Sequence, residues 1–240
     1  METANLLIVE DDADINRLLC AILEGAGYAC RAAFSGSEAL LWAEKYDYDL
    51  VLLDLMLPGL TGEDFIAQIR RGKTMPIIVV SAKPDVTDRV NVLKLGADDF
   101  IPKPFDNTEV LARVEAQLRR SRRFSAPAPA ALTAGGLTLE PDGRAASVNG
   151  REVTLTCREF DILALLMKNP RRAFSRAQIY ESVWGEDYLG DDNTVNVHVS
   201  NLRAKLARAD PDREYIKTVW GIGFKLAELQ EPLNKSPHTS

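Results

Sequence analysis

The feature that most constrains the fold is a series of short apolar runs, each ending in polar groups, along the first half of the chain. Strands are expected at residues 6–9, 29–33, 50–54, 77–81 and 100–103. Residues 50–53 and 77–80 are apolar at consecutive positions, as in parallel strands covered on both faces. Helix-period stretches separate the runs, for example Ile15, Leu18, Leu19, Ile22 and Leu23. Five such strand-then-helix repeats predict a doubly wound parallel α/β domain. Its functional groups should gather beyond the carboxyl ends of the strands.

Those ends carry chemistry. Glu10 and Asp11 follow the first strand, and Asp54 closes the third in VLLDLMLPG. In a doubly wound sheet these strands are neighbours, so the carboxylates converge. They repel unless a hard cation sits among them, and oxygen-only ligation points to magnesium. Without one, a carboxyl pKa must rise. Ser81 ends IIVVS with a hydroxyl, and Lys103 supplies an ammonium in FIPKPF. Acids, hydroxyl and lysine at four strand ends suit phosphoryl transfer to an aspartate, with charge on the equatorial oxygens neutralised from the sides. Asp12 is expected to be a solvated acid beside the first helix start.

The pattern breaks at residues 119–136, RRSRRFSAPAPAALTAGG, where Ala, Pro and Ser favour an extended tether. Beyond it, short alternating runs are punctuated by Pro-Asp-Gly and Asn-Gly, the chemistry of antiparallel hairpins. Two capping boxes follow, Thr156 with Glu159 and Ser175 with Gln178, each ahead of an apolar helix. A third helix is expected near residues 193–209, followed by a hairpin in YIKTVWGIGFKLA. At 100° per residue, Val195, Val199, Leu202 and Leu206 form that helix's packing face. Thr194, Val197, His198, Asn201, Lys205 and Arg208 point away, a mixture suited to base edges and phosphates in a major groove.

Composition sets limits. The net charge is −6, so nucleic acid has to be met by a local basic face rather than a general one. No apolar stretch approaches the roughly 20 residues of a membrane span. The start lacks a secretory pattern, and the three cysteines show no metal spacing, so reduced thiols in a cytoplasmic protein are expected. His198 has no second ligand nearby, which argues against a metal there.

Taken in order and spacing, the motifs VEDD, LLDLMLPG, VSA and KPF resemble those of response-regulator receiver domains. The whole chain resembles the two-component regulators with a winged-helix output domain, the OmpR/PhoB type. That resemblance implies a flavodoxin-like receiver at residues 1–121, a linker at 122–132, a winged helix-turn-helix domain of α+β class at 133–228 and a disordered tail at 229–240. It implies that Asp54 accepts a phosphoryl group from a sensor histidine kinase, with Ser81 and Lys103 at the phosphoryl group. Magnesium would be held by Asp11, Asp54 and the Met56 carbonyl, with Glu10 acting through water. The Lys103–Pro104 bond is often cis in such domains. Phe100 stands where relatives carry a switch tyrosine.

The same resemblance implies a phosphorylation-driven homodimer through the fourth helix, fifth strand and fifth helix. Arg89–Glu109 and Asp99–Arg113 are the pairs expected to cross its two-fold axis, on a face that also includes Lys94, Asp98 and Arg119. On promoter DNA it places Thr194, His198 and Arg203 at phosphates and Val197 and Asn201 at bases. Thr218 and Lys225 in the wing would meet phosphate, with Trp220 as an added contact or core cover. The loop WGEDYLGDD is where relatives can touch RNA polymerase. Two rivals remain: a phosphorylation-independent regulator that uses its receiver only to dimerise, and a small-molecule phosphatase. The phosphatase would need a substrate cap, and the second half is spent on a winged helix.

Overall fold

The structure is a computed structural model and describes residues 3–82, 86–122, 131–141, 143–185 and 192–228. The expected tail and most of the linker lie outside the described residues, as does the centre of the WGEDYLGDD loop.

The first domain runs β1 (Asn5–Val9), α1 (Ala13–Gly25), β2 (Ala29–Ala33), α2 (Gly36–Lys45), β3 (Leu50–Leu53), α3 (Gly62–Ile69), β4 (Ile77–Ser81), α4 (Val86–Leu95), β5 (Asp99–Pro102) and α5 (Asn107–Arg122). The strands form one parallel sheet in the order β2-β1-β3-β4-β5. Every residue of β3 and β4 is buried, which explains their unbroken apolar sequences. One face packs Leu6, Ile8, Leu50 and Leu52 with α1 and α5 residues such as Leu19, Val110 and Val114. The other packs Leu7, Val51 and Val79 with Phe65, Ile66 and Leu93.

Helix starts follow local chemistry. Asp12 caps α1 by accepting from the amides of Asp14 and Ile15, and those bonds hold its carboxyl below the usual range. It is a cap, beyond the solvated acid expected. Gly62 opens α3 directly beneath the end of β3, where an added Cβ would lie 2.5 Å from the Asp54 carbonyl. That glycine lets the helix approach the loop that carries Asp54.

The second domain opens with an antiparallel sheet of β6 (Leu132–Ala134), β7 (Leu137–Glu140), β8 (Ala145–Val148) and β9 (Arg151–Glu152). Asn149 and Gly150 turn β8 into β9 with positive φ of 51° and 77°, as Asn-Gly predicts. Both expected capping boxes form, opening α6 (Cys157–Lys168) and α7 (Arg176–Trp184). Helix α8 (Asp192–Ala209) and the hairpin of β10 (Ile216–Val219) and β11 (Gly223–Leu226) complete a winged helix. Trp184, Phe160, Val195, Val199, Leu202 and Leu206 lie in its core. No helix among the described residues is long and apolar enough to cross a membrane.

Candidate functional site

The carboxyl ends of β1, β3 and β5 bring three groups together. Lys103 Nζ lies 2.6 Å from Glu10 Oε2 and 2.5 Å from Asp54 Oδ2. Carboxylate oxygens of Glu10, Asp11 and Asp54 lie within 4.8 Å of one another, with Glu10 and Asp54 buried and Asp11 exposed. Burial raises the Glu10 pKa, and the Asp54 charge adds to the rise although Lys103 opposes it. Burial also works against the Lys103 ammonium, but its bonds to both carboxylates outweigh this and hold its pKa above the ordinary value. The pocket therefore retains excess negative charge despite its lysine. Its oxygen-only donor set fits a small hard cation.

The remaining pocket residues are placed by backbone. Asp54 Oδ1 accepts from the Met56 amide at 3.0 Å, and the Met56 side chain is exposed. Ser81 ends β4 fully buried, and the Lys103 amide donates to its carbonyl at 2.9 Å. The Lys103–Pro104 peptide is cis. Phe100 is buried in β5 beside Arg89, whose guanidinium carbon is 5.4 Å from the ring centroid.

The two charge pairs expected to bridge protomers have partners within the chain. Arg113 Nη1 lies 3.1 Å from Asp99 Oδ2, and Arg113 Nη2 lies 3.0 Å from Glu109 Oε1. Asp99 is only 6% exposed, so it needs this partner in the monomer. Arg113→Ala is expected to cost the isolated chain about 1–3 kcal/mol by leaving that carboxylate short of a donor. Urea unfolding of the unphosphorylated protein checks it, and a wild-type midpoint would place these charges outside the monomer's stability.

Helix α8 departs most from its sequence reading. Most of its expected outward arc is covered, because α8 lies against α4 of the first domain, while Arg208 at its end stays exposed. Val197 is 6% exposed and belongs to the receiver-side apolar cluster with Val92, Leu93, Ala97 and Phe100. Asn201 Nδ2 donates to the carbonyls of Leu93 and Lys94, both at 3.2 Å, and so caps the end of α4. Thr194 and His198 are buried, at 5% and 1% exposure. Lys205 pairs with Glu159 at 2.6 Å, and Arg203 donates to the Ile216 carbonyl and the Thr218 hydroxyl. Helical periodicity correctly assigned which face packs its own domain; it carried no information about a second domain on the opposite face. The wing is open by contrast: Trp220 is 91% exposed, so it covers no core, and Thr218 is exposed while Lys225 meets Glu228.

Sequence reasoning missed the residues that join the domains. Asp98, assigned to a charged surface, is fully buried. Its Oδ2 accepts from Arg70 Nη2 at 2.8 Å and from the Ile77 amide at 2.9 Å, and its Oδ1 accepts from the Arg158 amide at 3.3 Å. Cys157 Sγ sits 3.4 Å from the Thr74 carbonyl. The one available signal was Val197, an apolar residue on an otherwise polar arc.

A doubly wound domain with a lysine-bridged acid pocket, joined to a winged helix, defines a two-domain regulator that couples an acid site to a nucleic-acid reader. Comparison with known proteins carries this further. Residues 6–115 match the response regulator receiver domain family, and residues 150–226 match the C-terminal domain of transcriptional regulatory proteins. The chain is 40% identical to the transcriptional regulatory protein YcbL of Bacillus subtilis, covering 93% of this chain and 100% of that one. It is likewise 40% identical to the alkaline phosphatase synthesis regulator SphR of Synechococcus elongatus, over 93% and 91%. A solved structure of a RitR mutant superposes with TM-score 0.78 at 28% identity, covering 94% of this chain and 99% of that one. The chain belongs to the two-component response regulators of the OmpR/PhoB type. It is thus a DNA-binding transcriptional regulator governed by phosphorylation, with a sensor kinase and DNA as the partners its family implies.

Proposed function

We propose that Asp54 is the phosphoacceptor and that its phosphorylation releases α8 to read promoter DNA. The Lys103 ammonium seated between Glu10 and Asp54 is the observation that carries this reading. An Asp54 carboxylate oxygen would attack the phosphorus of a kinase phosphohistidine. The new O–P bond forms as the N–P bond breaks, and the imidazole leaves with its electron pair. Lys103 then faces an equatorial phosphoryl oxygen, and the Ser81 hydroxyl supplies a second donor. Asp11, Asp54 and the Met56 carbonyl would hold Mg2+, with Glu10 nearby; when bound, that cation neutralises charge that develops on the phosphoryl oxygens. Its binding should weaken as pH falls toward the raised Glu10 pKa, since protonation there removes a negative charge beside the cation.

The docked α8 explains the resting state. Val197 and Asn201, the two residues assigned to bases, are occupied by α4. Phe100 shares the apolar cluster that takes Val197, so a shift of that ring on phosphorylation would be felt at α8. Freed α4, β5 and α5 would meet their copies in a homodimer, with Asp99–Arg113 and Arg89–Glu109 exchanging partners across the two-fold axis. Thr194, His198, Arg203 and Lys205 would then face phosphates along with Thr218, Lys225 and Trp220 of the wing. The chain works in the cytoplasm on this reading, with the loop at residues 184–192 as the RNA polymerase contact. A receiver, linker and output domain at residues 1–121, 122–132 and 133–228 remains the proposed division.

Promoter-fragment binding with and without a small phosphodonor and Mg2+ tests the whole. Phosphorylation is expected to tighten binding at least about tenfold, which is about 1.4 kcal/mol. Equal affinities would favour the phosphorylation-independent rival.

A further inference from the structure

His198 occupies an unusual place for a residue assigned to a DNA phosphate. It is 1% exposed where α8 meets the receiver, with its ring tilted against Trp184 at 5.4 Å between centroids. One ring nitrogen meets the backbone carbonyl of Asp98 in the first domain. The other, Nε2, is buried without a hydrogen-bond partner. A neutral imidazole needs one donor bond and tolerates a bare acceptor nitrogen. An imidazolium has two N–H groups and would bury one of them unpaired.

The surrounding charges make that worse. Arg158 from α6, Lys205 from α8 itself and Arg70 from the end of α3 all act on the ring as cations. Acids are near, but they are committed: Asp98 to Arg70 and the Arg158 amide, Glu159 to Lys205, and Asp99 to Arg113. From α7 the Trp184 ring lies against the imidazole.

We propose that His198 is a proton-operated latch: the closed arrangement accommodates only its neutral imidazole, so protonation frees α8 from the receiver. This deepens the masking reading above and rests on it. Burial, then Arg158 and Lys205, push the docked imidazole down to about 3. An undocked, solvated imidazole titrates near its ordinary value of about 6.5. The closed state therefore has its full stability from this group above that value and loses it as pH falls below. Between pH 7.5 and 5.5 the opening constant should rise about tenfold. Acidification would then act in the same direction as phosphorylation, and the released His198 would carry a positive charge toward a DNA phosphate. Asp98 works the other way, since burial raises its pKa and its protonation favours the closed form. A variant at position 198 separates the two.

The Arg158 amide reports the latch directly. It lies in the first turn of α6, where no intrahelical acceptor exists, and its acceptor is Asp98 across the interface. Its hydrogen exchange can be followed by NMR in the full unphosphorylated chain, each rate divided by the intrinsic rate at that pH. Protection is expected to be about tenfold lower at pH 5.5 than at pH 7.5. His198→Asn, which keeps a donor for the Asp98 carbonyl without titrating, should abolish that difference, and His198→Gln serves if the first variant fails to fold. Equal protection at both pH values in the wild type overturns the latch, as does a tenfold fall that survives either substitution. An Arg158 amide unprotected at both pH values overturns the closed arrangement itself, and the latch with it.

Discussion

Asp54→Asn should abolish phosphoryl incorporation from either a kinase or a small phosphodonor, while the fold is retained. The substituted amide keeps an oxygen to accept from the Met56 amide, now at 3.0 Å from Oδ1, so the β3–α3 loop retains its shape. What it lacks is an anionic nucleophile. Lys103→Ala makes a graded companion. Asp54 can still attack, but the equatorial oxygens lose their nearest cation, and removing one such donor costs about 10²–10³ in rate. The two variants thus separate acceptor from stabiliser. Radiolabel transfer from a phosphorylated donor measures both, with far-ultraviolet circular dichroism as the fold control. Label at wild-type level on Asp54→Asn would remove Asp54 from its role, and an unimpaired Lys103→Ala would leave the lysine only the work of quieting Glu10.

The pocket was legible in the sequence because each member ends an apolar strand. A parallel sheet fixes which strand ends converge, so one register determines the neighbourhood of Glu10, Asp54, Ser81 and Lys103. The winged helix was legible for a related reason: capping boxes and Asn-Gly turns are local, and Thr156, Ser175 and Asn149 do in the structure what their own neighbours dictate. The face of α8 was not legible. Val197, His198 and Asn201 are polar enough on average to pass for a solvated or DNA-facing stripe, and beyond the apolar Val197 nothing within one helix period reveals a second domain against it. Asp98 misled by the same route. A charged residue beside Asp99 reads as surface, whereas its burial depends on Arg70, which lies 28 residues away, and on Arg158 in the other domain.

Asp98 is consequently where the largest loss of stability is expected. The carboxylate is fully buried and accepts from three donors, namely the Arg70 guanidinium, the Ile77 amide at the start of β4 and the Arg158 amide of α6. Asp98→Ala takes the acceptor from the two amides and from Arg70 Nη2, while Arg70 Nε and Nη1 keep the carbonyls of Gly96, Lys73 and Met75; the Arg70 side chain is itself only 10% exposed. Removing one partner of such a buried pair costs about 3–5 kcal/mol, because the remaining charge keeps its desolvation penalty and loses its counter-charge. Asp98→Asn should cost less, since an amide oxygen still serves one donor. Asp47, whose side chain is 100% exposed beside Lys73, provides a contrast: its removal should leave the unfolding midpoint where it was. The test also reads the link between domains. Urea unfolding followed separately through receiver amides and through Trp184 should give one coincident transition in the wild type if the domains support each other. In Asp98→Ala the receiver transition should move to lower urea and part from that of the winged helix, whose core of Phe160, Trp184, Val195 and Leu202 does not include Asp98. A variant within about 1 kcal/mol of wild type would mean that water or another donor replaces Asp98 at little cost. A large loss with the two transitions still coincident would mean that the interface holds through Val197 and Asn201 without it.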